Sequence, residues 1–297
     1  MTGARAAPQP GLPEMNLAGE RDVTGSQSVD RALTLLSMVG RHADRGVSLS
    51  RIVEQSGLNK PTCRRLLLAL MRAGLVEQDE ESRRYYLGQE SYVLGSLASR
   101  RFGLLQLSME SLLRLSRSTE DSSFLSVRRD TFAVCLHREE GTYPVRTHAL
   151  QAGFEHPLGV GAGSLAMLAA LPDDEVEATL AANALVLAEQ FPMLPADRIR
   201  ADVADTRAKG YALNPGRIFA NSWGIGVALK TPEGHLAGAL SIAAIDSRMQ
   251  EKRQQELAGY LLQEARLVEA RIAQMFATRQ DSRNTASPRM PDRRANR

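Results

Sequence analysis

Between residues 26 and 118 the apolar positions recur with a helical period, and beyond residue 122 alternating and continuous apolar runs enter between the helices. Residues 26–40 carry two adjacent stripes, Val29, Leu33 and Leu36 on one and Ala32, Leu35 and Val39 on the other, which predicts a helix buried on two sides. Residues 49–56 form a short amphipathic segment that breaks at Gly57. A second segment restarts at Asn59, and its Cys63, Leu66, Leu67 and Leu70 fall at i, i+3, i+4 and i+7 as one buried stripe. Gly74 ends it, and residues 75–79 and 83–87 read as a two-stranded hairpin across a polar turn. Residues 89–101, with Val93, Leu94 and Leu97, predict a linker helix; residues 102–118, with Leu104, Leu105, Leu112, Leu113 and Leu115, predict a longer one.

The period then changes. Residues 122–129 and 131–137 read as strands split by Arg129-Asp130, with residues 143–150 as a third strand. A glycine-rich loop at 159–163 opens a helix over 164–171. Pro172-Asp173-Asp174-Glu175 starts another that reaches Ala182, its acids placed where the helix dipole favours them. A helix over 196–209 ends at Gly210, strands over 224–230 and 236–244 meet across Thr231-Pro232-Glu233-Gly234, and a long helix over 249–278 closes the domain. Residues 1–25, rich in Pro, Gly and Ala, and the tail 279–297 are expected to be disordered. No internal repeat is present.

A short amphipathic helix, a tight turn, a helix with a basic first turn and a hairpin make up a winged helix-turn-helix, whose second helix enters the major groove of duplex DNA. The charge distribution agrees. The net charge is +3, but residues 26–87 hold ten Lys and Arg against seven acids, whereas residues 88–278 hold nineteen against twenty-two. The tail 279–297 holds six Arg against two acids. A basic head on an acidic body suits a protein that sets only its head on phosphate. There is no run of eighteen apolar residues and no apolar segment at the N-terminus, so neither a membrane span nor a secretory signal is expected. Two cysteines, Cys63 and Cys135, do not make a disulfide framework, and a cytoplasmic location follows as the expectation.

Several segments, taken in order, resemble the IclR family of bacterial transcription regulators. They are Ser28-Val29-Asp30-Arg31-Ala32-Leu33, Ser56-Gly57-Leu58-Asn59-Lys60-Pro61-Thr62, Arg65-Leu66-Leu67, Gly74-Leu75-Val76 and Tyr85-Tyr86-Leu87-Gly88 in the first third. His156-Pro157-Leu158, Gly161-Ala162-Gly163, Gly210-Tyr211, Ala239-Leu240-Ser241-Ile242 and Ser247-Arg248 follow. The resemblance covers about residues 26–275. It implies an α+β chain: a winged helix-turn-helix over 26–88, a linker helix over 89–103 and a GAF-like α/β effector-binding domain over 104–278. It also implies a homodimer or homotetramer, a double-stranded DNA operator as partner, a small-molecule effector, and no cofactor.

Lys60, Pro61 and Thr62 fall where a recognition helix meets phosphate and base edges, and Arg64 and Arg65 can reach guanine edges. Pro61 in the first turn sacrifices only an N–H that would be unpaired there. Arg83 and Arg84 sit on the wing, and Arg51 on the preceding helix is a further phosphate candidate. In the body the resemblance points to Gly161, Ala162, Gly163, Asn214, Gly224, Ser241 and Ala243 as effector-pocket residues. The chain departs from family members that bind small oxo-acids, which carry an acid at Asn214, a cysteine at Gly224 and a serine at Ala243. Fewer polar groups and more room imply a bulkier, less polar ligand, such as an aromatic or aliphatic carboxylate.

The same residues bear on other readings. Gly161-Ala162-Gly163-Ser164-Leu165-Ala166 fits the dinucleotide fingerprint, but His156-Pro157 stands where its strand is required and no acid-tipped second strand follows. Cys135 and His137, alternating on one strand, would share a face, yet with His148 or His156 they match no zinc spacing. No Gly-x-Ser-x-Gly, His-Glu-x-x-His or P-loop is present. Trp223 reads as packing beside the pocket strand. A nucleotide- or metabolite-binding enzyme with an incidental helix-turn-helix, and an architectural DNA binder without effector, are the competing classes.

Overall fold

The computed structural model describes residues 27–42, 45–145 and 150–285, so the expectations for residues 1–25 and 286–297 lie outside the described residues. The head is α1 (Gln27–Gly40), α2 (Leu49–Ser56), α3 (Lys60–Arg72) and a hairpin of β1 (Val76–Gln78) and β2 (Tyr85–Leu87). Ser48 caps α2 through a hydrogen bond its hydroxyl accepts from the Arg51 N–H, and Gly57 ends it in the left-handed region, φ 64°. The chain therefore turns sharply between α2 and α3. Leu35, Val39, Ile52, Cys63 and Leu67 are fully buried together, which explains the stripe spacing. One α1 stripe packs fully and the other only through Leu36: Val29 and Leu33 stay 57% and 51% exposed.

α4 (Gln89–Phe102) and α5 (Leu104–Thr119) lead into the body. There β3 (Ser122–Arg129), β4 (Phe132–Glu139), β5 (Glu155–Pro157), β6 (Ala212–Pro215), β7 (Ser222–Lys230) and β8 (Leu236–Ile245) form one antiparallel sheet in the order β5-β4-β3-β8-β7-β6. Its helices are α6 (Ala162–Ala169), α7 (Asp173–Ala182), α8 (Ala184–Gln190), α9 (Ala196–Lys209) and α10 (Glu251–Thr285). Leu158, Leu165, Leu168, Ile199 and Val203 fill a core on one face of the sheet, and Leu112, Leu115, Leu257, Leu261 and Val268 fill another core. Both faces are covered, so β8 alternates between two cores, Ala239 in the first and Leu240 in the second, and reads as a continuous apolar run.

Four expectations differ from the structure, and some short elements carry none. Within residues 143–150 the described positions are not strand; the outer edge of β4 is taken by the later segment, with the Gly153 N–H donating to the Cys135 carbonyl (2.8 Å) and the Cys135 N–H to the Phe154 carbonyl (2.9 Å). α6 begins at Ala162 rather than residue 164, which brings Gly163 into the helix. A register shift in the β3–β4 ladder pairs Ser126 with Cys135 but Leu125 with His137, so Cys135 and His137 do not share a face. β5, β6 and α8, too short and irregular in pattern to stand out, carry no sequence expectation. α10 runs on to Thr285, so the start of the tail expected to be disordered is helical.

Candidate DNA-binding surface and effector pocket

In the head, the Asn59 side chain accepts a hydrogen bond from the Thr62 N–H at 2.9 Å and fixes the first turn of α3, with Pro61 inside it. This cap had no place in the sequence argument, although an Asn before Lys-Pro is its signature. Lys60, Pro61, Arg64 and Arg65 are exposed and Thr62 is half-buried. Lys60, Arg64 and Arg65 form no ion pair with any described residue. The wing turn is held by Asp79, whose carboxylate accepts from the Ser82 N–H and hydroxyl and is thereby lowered in pKa. The two wing arginines differ. Arg83 is exposed at φ 57°, while Arg84, also exposed, donates from Nη1 to the Arg45 and Gly46 carbonyls at 3.2 and 3.1 Å.

In the body, Gly161, Ala162, Gly163, Asn214, Gly224, Ser241 and Ala243 line one cavity of about 570 Å³, its open mouth included. The sheet register shows why residues so far apart in sequence meet. His156 pairs with Ala133, Cys135 with Ser126, Phe124 with Ser241, and Ala243 with Gly224, which pairs with Asn214, so one face of all six strands contributes. Gly161 turns the chain into α6 at φ 85°. The Ser164 hydroxyl secures that turn by accepting from the Gly159 N–H and donating to the Pro157 carbonyl, each at 3.0 Å. Gly226 permits the close seat of α6: a Cβ there would stand 2.8 Å from the Ala162 carbonyl oxygen. The Gly224-x-Gly226 pair within a strand was the available signal for that approach.

Sequence reasoning did not place Phe124, Ser126, Cys135 or His156 at this cavity, yet all line it, while Trp223 borders it with its side chain packed in the second core, beside the pocket strand as expected. Their signal is long-range register, which local pattern does not carry. Among the described residues the lining holds no Asp, Glu, Lys or Arg. Burial drives the His156 pKa down to about 4, so its imidazole is neutral near pH 7; its ring packs edge-on against Phe191 with centroids 6.2 Å apart. Burial pushes the Cys135 thiol up to about 12 and keeps it protonated. The described residues therefore present a neutral wall with hydroxyls, one amide, one imidazole, one thiol and the first peptide N–H groups of α6.

Two family models match: the IclR helix-turn-helix domain over residues 28–80 and the bacterial transcriptional regulator IclR C-terminal domain over residues 97–270. The chain belongs to the IclR family. It is a transcription regulator with a DNA-binding helix-turn-helix and an effector-binding C-terminal domain. Among IclR-family relatives, the HTH-type transcriptional regulator ArcR of Halobacterium salinarum is 25% identical over 248 residues, covering 82% of this chain and 93% of that one. An IclR transcriptional regulator from Silicibacter sp. TM1040 has the same fold with a TM-score of 0.70 and 29% identity, covering 82% of this chain and 96% of that one. An IclR homologue from Microbacterium hydrocarbonoxydans, solved with 4-hydroxybenzoate, superposes with a TM-score of 0.67 at 20% identity, covering 82% and 98%. No helix among the described residues of this IclR-family chain is long and apolar enough to cross a membrane.

Proposed function

We propose that this regulator binds a two-fold-symmetric operator as a homodimer or homotetramer in the cytoplasm, and that a carboxylate effector in the body cavity changes that binding. The head is residues 26–88, the linker 89–103 and the effector domain 104–278. Lys60, Pro61 and Thr62 meet phosphate, Arg64 and Arg65 meet base edges, and Arg83 and Arg84 serve the wing. The carrying observation is the first turn of α3, where exposed cations without ion-pair partners surround a helix N-terminus. Exposed apolar residues on α1 and α4, including Leu33, Tyr92, Leu94 and Leu97, support pairing of two heads through these helices.

Gly161, Ala162, Gly163, Asn214, Gly224, Ser241 and Ala243 hold the effector, its carboxylate at the α6 N-terminus and its body against Phe124. A neutral wall of this kind fits a monocarboxylate with an aromatic or aliphatic body, and 4-hydroxybenzoate in the Microbacterium homologue is of that class. The chain is a binder and not an enzyme: a thiol held near 12 and an imidazole held near 4 offer neither a ready nucleophile nor a general base near pH 7. The test is fluorescence anisotropy on duplexes selected by the protein from a random pool, titrated with 4-hydroxybenzoate and other aryl and alkyl monocarboxylates, with light scattering on the same sample. Sequence-selective binding shifted by a monocarboxylate is expected. A monodisperse monomer with full duplex affinity overturns the oligomer, and indifference to every monocarboxylate overturns the effector class.

A further inference from the structure

Two neighbouring residues of β5 face different parts of the molecule. His156 lines the cavity, while the Glu155 carboxylate is ion-paired with Arg41, just past the end of α1 in the head, and with Arg129, at the end of β3 in the body. The Glu155 and Arg41 side chains are only 9% and 12% exposed, so this contact between head and body is largely withdrawn from water. The backbones approach as well: a Cβ at Gly153 would lie 3.5 Å from the Gly40 carbonyl oxygen and 3.8 Å from the Arg41 Cα. Gly153 is in turn hydrogen-bonded to the carbonyl of Cys135, another cavity residue. Residues 153–156 thus rest on the head on one side and form the edge of the pocket on the other.

We propose that β5 is the coupling strand of this regulator: Glu155 latches the head to the body through Arg41, and an occupant of the cavity that displaces His156 moves Glu155 and changes its hold on Arg41. The proposal rests on the reading of the cavity as the effector site. The charges make the latch two-sided. Arg41 and Arg129 converge on one carboxylate and repel each other, and Glu155 offsets that repulsion by pairing with both. Losing the carboxylate leaves the repulsion between the two guanidinium groups without its shared counter-charge and loosens the head. Losing Arg41 leaves Glu155 paired with Arg129 inside the body and merely frees the head. Breaking one partner of a buried pair is costly because the other is left uncompensated, so the two replacements differ in strength but not in direction. Linkage is reciprocal, so duplex bound at the head must also be felt at the pocket.

Trp223, the sole tryptophan of the chain, borders the cavity on β7 with its side chain packed in the core on the other face of the sheet, so its emission reports movement of the pocket strand. The experiment titrates the full-length protein with the tightest duplex selected by the wild type and follows Trp223 emission, with anisotropy reporting duplex affinity. Wild type should show an emission change on duplex binding. In Glu155→Gln and in Arg41→Met that change should fall at least fivefold and duplex affinity should shift at least threefold, Glu155→Gln the more strongly. Arg128→Gln, which cuts a pair with Glu175 inside the body, should behave as wild type. Arg41→Met leaves the body pairing intact and decides the matter if Glu155→Gln does not fold. A wild type without emission change, or an Arg41→Met protein that keeps both signals, overturns the latch. Neither result touches the effector reading, which stands or falls with the monocarboxylate titration of the wild type.

Discussion

Two helices offer their first turns to an opening, α3 in the head and α6 in the body, and they are built from opposite materials. α3 is capped by Asn59 and surrounded by Lys60, Arg64 and Arg65 in open solvent. α6 has no side-chain cap, is buried throughout, and starts with Ala162, Gly163 and Ser164 against a sheet face with no charged lining residue among the described ones. The same peptide dipole serves both. With mobile cations around it, it suits a polyanion whose phosphates release counterions. Uncapped and enclosed by small neutral groups, it suits one small anion whose charge is met by peptide N–H groups alone. The environment of a helix terminus, not the terminus itself, selects the ligand.

Acid should break the neutrality of the second site, and this is the largest effect expected. His156 titrates near 4 in the fold against 6.5 when free. The unfolded chain therefore takes up this proton first, and the body loses stability as pH falls from 6.5 towards 4, with no contribution above 6.5. The loss should be roughly 2 kcal/mol at pH 4.5. Urea unfolding followed by Trp223 emission at pH 7 and 4.5, in wild type and His156→Gln, isolates it as a difference of differences. An equal acid response in both proteins would mean that His156 is not held neutral.

At the first site the comparison sharpens into a division between base and phosphate. Arg65→Ala should weaken binding to the selected duplex by about 1–3 kcal/mol and binding to random DNA far less. Lys60→Ala should weaken both and reduce the slope of log K against log salt by about one. Equal losses on both duplexes for Arg65→Ala would move it to the phosphate class. Ligand binding at the pocket should be unaffected by either change, as measured by calorimetry with 4-hydroxybenzoate.

The converse substitution belongs on the pocket wall. Gly224→Leu would fill it, but a Cβ at Gly224 already stands 3.2 Å from the Ala162 Cβ, so α6 would be displaced as well. Ala243→Leu extends a side chain already on the wall. It should lower monocarboxylate affinity at least tenfold, about 1.4 kcal/mol, while duplex affinity without ligand stays within twofold of wild type. Undiminished monocarboxylate affinity in a folded Ala243→Leu protein would place the ligand elsewhere.

The two sites were not equally legible in the sequence. The head is local: stripe spacing, Gly57, Gly74 and the basic turn lie within forty residues, and periodicity alone outlines α2, α3 and the hairpin. The pocket is not. Its first set of residues came from family resemblance, and no spacing rule joins His156 to Asn214, because they meet only through the order β5-β4-β3-β8-β7-β6. The register shift at Leu125/Ser126 turns Cys135 towards the cavity and separates it from His137, against simple alternation. β5 was missed for a physical reason: three residues at an edge carry too little pattern to mark a strand, yet they hold both His156 and Glu155.

The smallest expected effect separates the two wing arginines, which the sequence ranks equally. Arg84 spends its guanidinium on the Arg45 and Gly46 carbonyls, steadying the wing against the loop after α1. Arg83 has no such bond, and its backbone sits at φ 57°, a conformation that non-glycine residues adopt sparingly. A side chain with free donors at the tip of the wing is the one placed to meet phosphate as the head docks. Arg83→Ala should therefore weaken selected and random duplexes alike, by about 0.6 kcal/mol or threefold, and lower the salt slope by a further unit. Arg84→Ala should leave the salt slope unchanged, because its charge is engaged by carbonyls, and should instead speed hydrogen exchange in residues 83–87 as the wing loosens. If Arg84→Ala lowers the slope and Arg83→Ala does not, the hydrogen bonds to Arg45 and Gly46 give way on binding and the wing rearranges on DNA.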